Sequence, residues 1–348
     1  MTPLDLAPAP RPDCAPPPLA STNAVAPQVS ILVPLYNSAA TIERALKSAL
    51  NQTLADIEVI VTDDASTDNG AALVEAIARA DKRVRLIRLP ENHGKPHAMN
   101  LMVAQARGDW LAVLDADDAY RPTRLATLLQ GAQTSGTDMA ADNLSFIDSG
   151  ARGDDGQFGR FIRFGFDRAH GDRILQKQDL LRETSSFADF DYGVLKPIVR
   201  RDYVARHGLA YDETSRLAED FTYLLMYFVA GGRVFLTADA LYDWTMPFGA
   251  VSRQWTDTGA GPWRYDYRQA IAANDALITH MAAQGETEVV AMLRRRGRQY
   301  RVMVRYIDAQ RLAAAGRYAA AGWSMLQHPG TFGLLCRRIA GRVMRGWR

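Results

Sequence analysis

Between Val29 and Leu114 four short apolar runs alternate with longer stretches of helical periodicity, and that alternation leaves few possible architectures. Val29–Val33 (VSILV), Ile57–Thr62 (IEVIVT), Val84–Leu89 and Trp110–Leu114 have the length and flanks of buried strands. Between them, Ile42, Ala45, Leu46, Ala49 and Leu50 share one helical face, as do Leu73, Val74, Ile77 and Ala78. A third helix is expected from about His97 to Ala106. Strands alternating with helices predict βαβαβαβ, a parallel sheet with helices on its faces. Pro34 is expected to end the first strand because it cannot donate to the ladder. Ser38 is expected to cap the first helix, and Asp68 the second.

This order puts Tyr36, Asp64 and Asp115 at the C-terminal ends of three strands, where such sheets open onto one ligand crevice. The fourth strand ends abruptly in acids: Asp115, Asp117 and Asp118 within WLAVLDADDAY. Unpaired buried charge is costly, and a hard divalent cation shared with phosphate oxygens neutralises such a cluster. The plainer reading of the same acids is a solvated loop that caps the helix after Pro122. The first strand-to-helix turn holds no glycine, which removes the dinucleotide fingerprint. No G-x-x-x-x-G-K-[ST] occurs, and Gly94-Lys95 alone does not make a P-loop.

At 348 residues the chain has room for one large domain or two modest ones. Its net charge of +2 selects no partner. Cys14 and Cys336 stand at opposite ends, which is neither a disulfide framework nor a zinc spacing and fits a reducing cytoplasm. No apolar run is long enough to span a membrane, and the N-terminus has no secretory pattern. After Pro122 a helix is expected to run to Gly131, then a strand over Met139–Ile147. Residues 148–175 read as a long, mobile loop. Phe187–Arg201 is irregular, and Asp202–His207 reads as a helix stopped by Gly208. Glu219–Ala230 is an apolar helix that opens on two acids, followed by short strands at Arg233–Thr237 and Ala240–Trp244. From about Pro262 onward the pattern is helical, with breaks near Gly285, Gly316 and His328-Pro329-Gly330.

Five segments in order resemble the motif series of family 2 glycosyltransferases, inverting enzymes of the GT-A fold. They are Val33-Pro34-Leu35-Tyr36-Asn37, Asp63-Asp64-Ala65-Ser66-Thr67-Asp68, Asn92-His93-Gly94, Leu114-Asp115-Ala116-Asp117-Asp118 and Glu219-Asp220. The stretch from Lys196 to Trp244 is most similar to bacterial exopolysaccharide glycosyltransferases of the succinoglycan type. One departure is Ala65, where the family usually has glycine; the turn is expected to need no positive φ. The resemblance implies a Rossmann-like mixed α/β sheet with a helical C-terminal extension. It also implies transfer of a hexose, glucose foremost, from a UDP-sugar to a saccharide acceptor in cell-surface glycan synthesis. Pro34, Tyr36, Asn37 and Asp64 are then expected at the nucleotide, with Asp64 accepting from the uracil N–H; the plainer readings are a packing aromatic at Tyr36, a turn or cap acid at Asp64 and a solvated Lys95. Lys95 is expected in a loop facing phosphate. Asp115 and Asp117 match the D-x-D, with Asp117, aided by Asp115, holding Mn²⁺ or Mg²⁺, and oxygen ligands suit those ions. Asp118 is expected behind them, or paired with an arginine. Asp220 matches the catalytic base and Glu219 its substrate-binding neighbour; both sit where the helix dipole favours the ionised form. Read without the family, the same two acids are ordinary helix-start residues.

Domain boundaries follow. Residues 1–27 read as a disordered Pro/Ala-rich tail, and 28–250 as the GT-A domain, with a nucleotide-sugar half over 28–130 and an acceptor half over 131–250. Residues 251–348 form the helical extension. Its segment Phe332–Arg348 holds five arginines, with Phe332, Leu335, Ile339 and Val343 able to share a face. That pattern fits either peripheral membrane contact or a packed helix with solvated arginines, and it is too short to suggest nucleic acid. The expected location is the cytoplasm or the inner face of its membrane, with a lipid-linked acceptor left open. Arg200, Arg201 and Arg253 are candidate phosphate partners. Trp244 and Trp255 are candidate sugar platforms, with core packing the plainer role for Trp244. A nucleotidyltransferase, or a non-catalytic sugar-nucleotide binder on the same fold, is the rival reading. The first would carry a Gly-rich basic loop where this chain has Pro34–Ser38.

Overall fold

In the computed structural model, residues 26–149, 160–183, 192–214, 218–246 and 267–327 are described. The parallel half of the sheet contains β1 (Val29–Leu35), β2 (Ile57–Asp63), β3 (Val84–Arg88) and β4 (Trp110–Val113), ordered β3-β2-β1-β4. The helices between them are α1 (Ile42–Leu50), α2 (Gly70–Ala80) and α3 (Lys95–Gln105). β1, β2 and β4 are sealed on both faces: Ile31, Val33, Val59, Val61 and Ala112 are buried on one face, and Leu32, Ile60 and Leu111 on the other. That accounts for the continuous apolar runs in place of alternation.

The second half turns the sheet mixed. It contains β5 (Ala119–Tyr120), β6 (Met139–Asp148), β7 (Arg160–Phe164), β8 (Arg173–Leu175), β9 (Ile198–Arg200) and β10 (Val234–Met246). The order continues β4-β9-β6-β10-β5, with β7 on β6 and β8 on β10. β9 runs antiparallel to both β4 and β6, so it reverses the chain beside the acidic end of β4. Among the described residues this unit also holds α4 (Arg124–Ser135), α5 (Lys177–Glu183), α6 (Arg201–His207) and α7 (Glu219–Val229).

Several sequence expectations are corrected. β1 continues past Pro34 to Leu35, because the β1–β4 ladder has already stopped at Leu32↔Val113 and no hydrogen bond from residue 34 is missed there. Ser38 does not cap α1: the cap is Thr41, while the Ser38 carbonyl accepts from the N–H groups of Thr41 and Ile42. Asn69 precedes α2, and Asp68 serves it from one residue back, accepting from Gly70 N–H at 2.9 Å. The expected loop 148–175 contains β7 and β8, each paired to a longer strand. The two short strands expected after residue 232 are one strand, β10, with its register broken between Thr237 and Tyr242.

The helical unit contains α8 (Tyr267–Ala283), α9 (Thr287–Ala314) and α10 (Tyr318–Leu326), with α9 packed against both others. Asn274 of α8 donates to the Leu293 carbonyl at 2.9 Å, and the Arg301–Asp275 and Arg268–Asp308 pairs tie the same two helices. No helix among the described residues is long and apolar enough to cross a membrane. The expected tail, Arg253, Trp255 and the basic segment 332–348 lie outside the described residues, apart from residues 26 and 27 of the tail.

Candidate active site

The ends of β1 and β2 are laced together. Asn37 N–H donates to Ser66 Oγ at 3.0 Å, Thr67 N–H donates to Asn37 Oδ1 at 2.8 Å, and Ser66 N–H donates to Asp63 Oδ1 at 3.1 Å. Asn37 and Ala65 both take positive φ, +47° and +56°. The expectation that residue 65 needs no positive φ is therefore wrong: the lacing forces the left-handed conformation that the family's usual glycine adopts without strain. Tyr36 and Pro34 stand half-buried at the same edge. The Asp64 carboxylate, only 3% exposed, accepts from the N–H groups of His93 (2.7 Å) and Gly94 (2.8 Å). It thereby folds the Asn92–Gly94 turn onto β2. Gly94, at φ +92°, is the residue that permits that turn.

That turn launches α3, and Lys95 is its first residue rather than part of a loop. Its ammonium points at carboxylates: Asp115 Oδ1 at 2.9 Å, Glu219 Oε1 at 3.2 Å and Asp220 Oδ2 at 3.5 Å. A second lysine, Lys196, meets the other Asp115 oxygen at 2.7 Å and bonds Asp220 Oδ2 as well. Glu219 and Asp220 open α7, as expected. The end of β4 and the start of α7, more than a hundred residues apart, therefore share two cations. Ala218, just before the acid pair, also sits in the left-handed region at φ +58°.

Electrostatics separate the acids. Burial acts to raise the Asp115 pKa, but Lys196 and Lys95 outweigh it and hold this carboxyl below the ordinary range. Asp117 has weaker help: among the described residues no cation lies within ion-pair distance of its carboxylate, and Lys196 and Lys95 act on it only from further away. Burial and the neighbouring Asp115 charge raise its pKa. Asp118 is buried behind them. It accepts from the Tyr242 hydroxyl at 2.7 Å and from Thr245 N–H at 2.8 Å, and burial with the Asp117 and Asp115 charges pushes its pKa well up. Arg44 donates to the Asp117 carbonyl and to Thr245 Oγ1, closing this second layer. Both lysines are charged: burial opposes it, but the carboxylates around each raise its pKa.

Four carboxylates (Asp115, Asp117, Glu219, Asp220) against two ammonium groups leave a charge deficit that one divalent cation balances. No group of three metal-binding side chains occurs among the described residues. A cation held by one or two carboxylates plus substrate phosphates does not require one. The residues therefore fit Mn²⁺ or Mg²⁺, with Asp117 the carboxylate free to take it.

The expectation of phosphate-binding arginines fails here for Arg200 and Arg201. Arg200 pairs across the sheet with Trp110, five residues before Asp115 and so about 16 Å from it at strand rise. Its guanidinium bonds Asp138 and lies 4.8 Å from the Trp110 ring, and Arg201 donates to the Gly108 carbonyl. Both arginines thus serve the opposite end of β4 from the acids. Trp244 stacks on Phe146, with centroids 5.5 Å apart, in its plainer packing role.

Lys196 was not singled out from the sequence. A signal existed: it is the one charge in Val194-Leu195-Lys196-Pro197-Ile198-Val199. What assigns it a place is the antiparallel register Trp110↔Arg200, Ala112↔Ile198, which continues to bring residue 196 opposite 114, beside Asp115.

A half-parallel sheet whose central strand ends in an acidic pair, facing a second acid pair on a helix start, defines a GT-A type transferase. The comparisons with known proteins agree. A family profile described as Glycosyl transferase family 2 matches residues 30–181. The chain is 35% identical to the succinoglycan biosynthesis protein ExoO of Rhizobium meliloti, over 92% of this chain and 87% of that one. It is 36% identical to ExoU of the same organism, over 58% of this chain and 56% of that one. Among solved structures, S. aureus TarS 1–349 in complex with UDP-GlcNAc superposes with a TM-score of 0.54 at 20% identity, covering 71% of this chain and 65% of that one. The chain belongs to glycosyltransferase family 2.

Proposed function

We propose that this glycosyltransferase moves a hexose, glucose foremost, from a UDP-sugar to a saccharide acceptor, with inversion, during exopolysaccharide assembly. The observation that carries the reading is the meeting of the D-x-D at the end of β4 with Glu219-Asp220 at the start of α7 around shared lysines. The curated relatives named for succinoglycan biosynthesis support the pathway class, and TarS solved with UDP-GlcNAc supports a uridine nucleotide.

In this reading the uridine lies over the laced ends of β1 and β2, against Pro34, Tyr36 and Asn37, with Asp64 near the base. The diphosphate faces Lys95 and the N-terminus of α3, where free backbone N–H groups and the ammonium favour anions. Asp117, with Asp115 behind it, would hold the divalent cation, which when bound stabilises charge on the leaving diphosphate. Asp220 takes the proton from the acceptor hydroxyl as that oxygen attacks the anomeric carbon. The carbon–oxygen bond to the diphosphate breaks, and the electron pair leaves with UDP. One displacement inverts the centre and needs no covalent intermediate. Glu219 shares Lys95 with Asp115 and flanks the acceptor side.

Asp220→Asn keeps the shape and removes the base. Transfer is expected to fall by about a hundredfold or more while UDP binding holds. Transfer by the variant at the wild-type rate would remove Asp220 from the mechanism.

The membrane contact expected of the C-terminal extension extends to α10. Tyr318, Trp323 and Leu326 are 73, 65 and 69% exposed along this helix, with Trp323 and Leu326 one turn apart on the same side. An aromatic and apolar face next to an arginine-rich segment suits an anionic bilayer surface, and with it a lipid-linked acceptor.

A further inference from the structure

Lys95 and Lys196 share Asp115 and Asp220, and Lys95 also meets Glu219, but the two are not equivalent. The Lys95 side chain is 22% exposed, at a helix start that opens to the crevice; that of Lys196 is 3% exposed. The backbone of Lys196 is held as well. Its carbonyl accepts from Arg124, a fully buried guanidinium fixed by Asp142 at 2.7 Å and lying 4.3 Å from the Tyr120 ring. Pro197 restricts the residue from the following side, and the register of β9 on β4 sets its height along the sheet. The Lys196 ammonium lies 5.6 Å from the Trp244 ring, which walls it on another side.

This anchored cation bridges one oxygen of Asp115 and one of Asp220. Asp220 needs such a guide. It stands in the first turn of α7, and the cap residue, Ala218, held at φ +58°, makes no side-chain hydrogen bond to that turn. We infer that Lys196 is a positioning residue: it aims the Asp220 carboxylate toward the D-x-D, coupling the base to the donor side of the site. The inference rests on the reading of Asp220 as the base. Lys95, still paired with Asp115, keeps the donor side neutralised when Lys196 is removed, so donor binding and base alignment separate experimentally.

The test compares Lys196→Met, Lys196→Arg, Asp220→Asn and the Lys196→Met/Asp220→Asn double variant of the full chain. Calorimetry reads UDP affinity, and transfer assays separate kcat from donor KM. Lys196→Met is expected to lower kcat about a hundredfold, the scale on which a misplaced group costs rate. Its UDP affinity and donor KM should stay within about threefold. Lys196→Arg, which keeps the charge, should recover about tenfold of the loss, and in the Asp220→Asn background Lys196→Met should cost nothing further. UDP affinity falling in step with kcat would make Lys196 a donor-binding group and overturn the inference. So would unchanged kcat, or additive losses in the double variant. If the Met variant does not fold, Lys196→Arg alone decides: a kcat loss at unchanged UDP affinity supports positioning, and a parallel loss of both contradicts it. Wild-type transfer by Asp220→Asn would sink the assignment of the base itself, a separate failure visible in the same series.

Discussion

At Ala65 a methyl-bearing residue occupies a conformation that crowds Cβ against the following carbonyl. The turn cannot relax easily, because Asp63 holds Ser66 from one side and Asn37 reaches it from the other. Ala65→Gly is therefore expected to stabilise the fold by roughly 1 kcal/mol, read by denaturant titration. A destabilised variant would mean the strain is relieved in solution. The motif was visible in the sequence, but this φ was not, since it is set by hydrogen bonds between turns about thirty residues apart. The same holds for the acids. Asp115, Asp117 and Asp118 read alike as a string, yet two lysines hold Asp115 down while burial and neighbouring acid charge push Asp117 up and Asp118 well up.

Among elements, β1, β2 and the α3–β4 turn are pinned at the end away from the site by one carboxylate. Glu58 accepts from the Ser30 hydroxyl at 2.7 Å, from Arg107 N–H at 2.8 Å and from the Arg107 guanidinium at 2.8 Å. Only glycine fits at position 108, because a Cβ there would come within 2.5 Å of Ser30 N. Burial acts to raise the Glu58 pKa, but these donors outweigh it, so the folded value lies below the ordinary 4.5. A depressed carboxylate contributes stability above its unfolded pKa and loses it as the pH falls through the folded value. Glu58→Gln should thus cost about 2 kcal/mol at pH 7, with the gap from wild type narrowing once the pH drops below 4.5. A gap independent of pH would contradict the charged role. The strands and helices around this clamp were readable because period and burial agree locally. The clamp itself, β9 reversed beside β4, and the Lys196 bridge depend on pairings that no local pattern encodes.

Over the whole molecule, charge is divided. Residues 267–348 hold fourteen arginines and four acids, a net of +10, which leaves −8 on residues 1–266 of a chain whose total is +2. The total hid this asymmetry. With the exposed face of α10, it predicts that the full chain sediments with vesicles containing anionic lipid and not with neutral ones, and that raised salt releases it. Replacing Tyr318, Trp323 and Leu326 by serine should weaken that binding about tenfold or more. Equal binding to neutral vesicles, or none to anionic ones, would contradict the membrane reading.

The central claim, a metal-assisted uridine-diphosphate site at the acidic end of β4, is tested most directly by calorimetry of UDP binding with and without Mn²⁺, on wild type and on Asp117→Ala. The account predicts that Mn²⁺ tightens UDP binding to wild type by about tenfold or more, and that the variant loses this gain while keeping its metal-free affinity. No UDP binding in either condition, or a metal effect that survives Asp117→Ala, would contradict it.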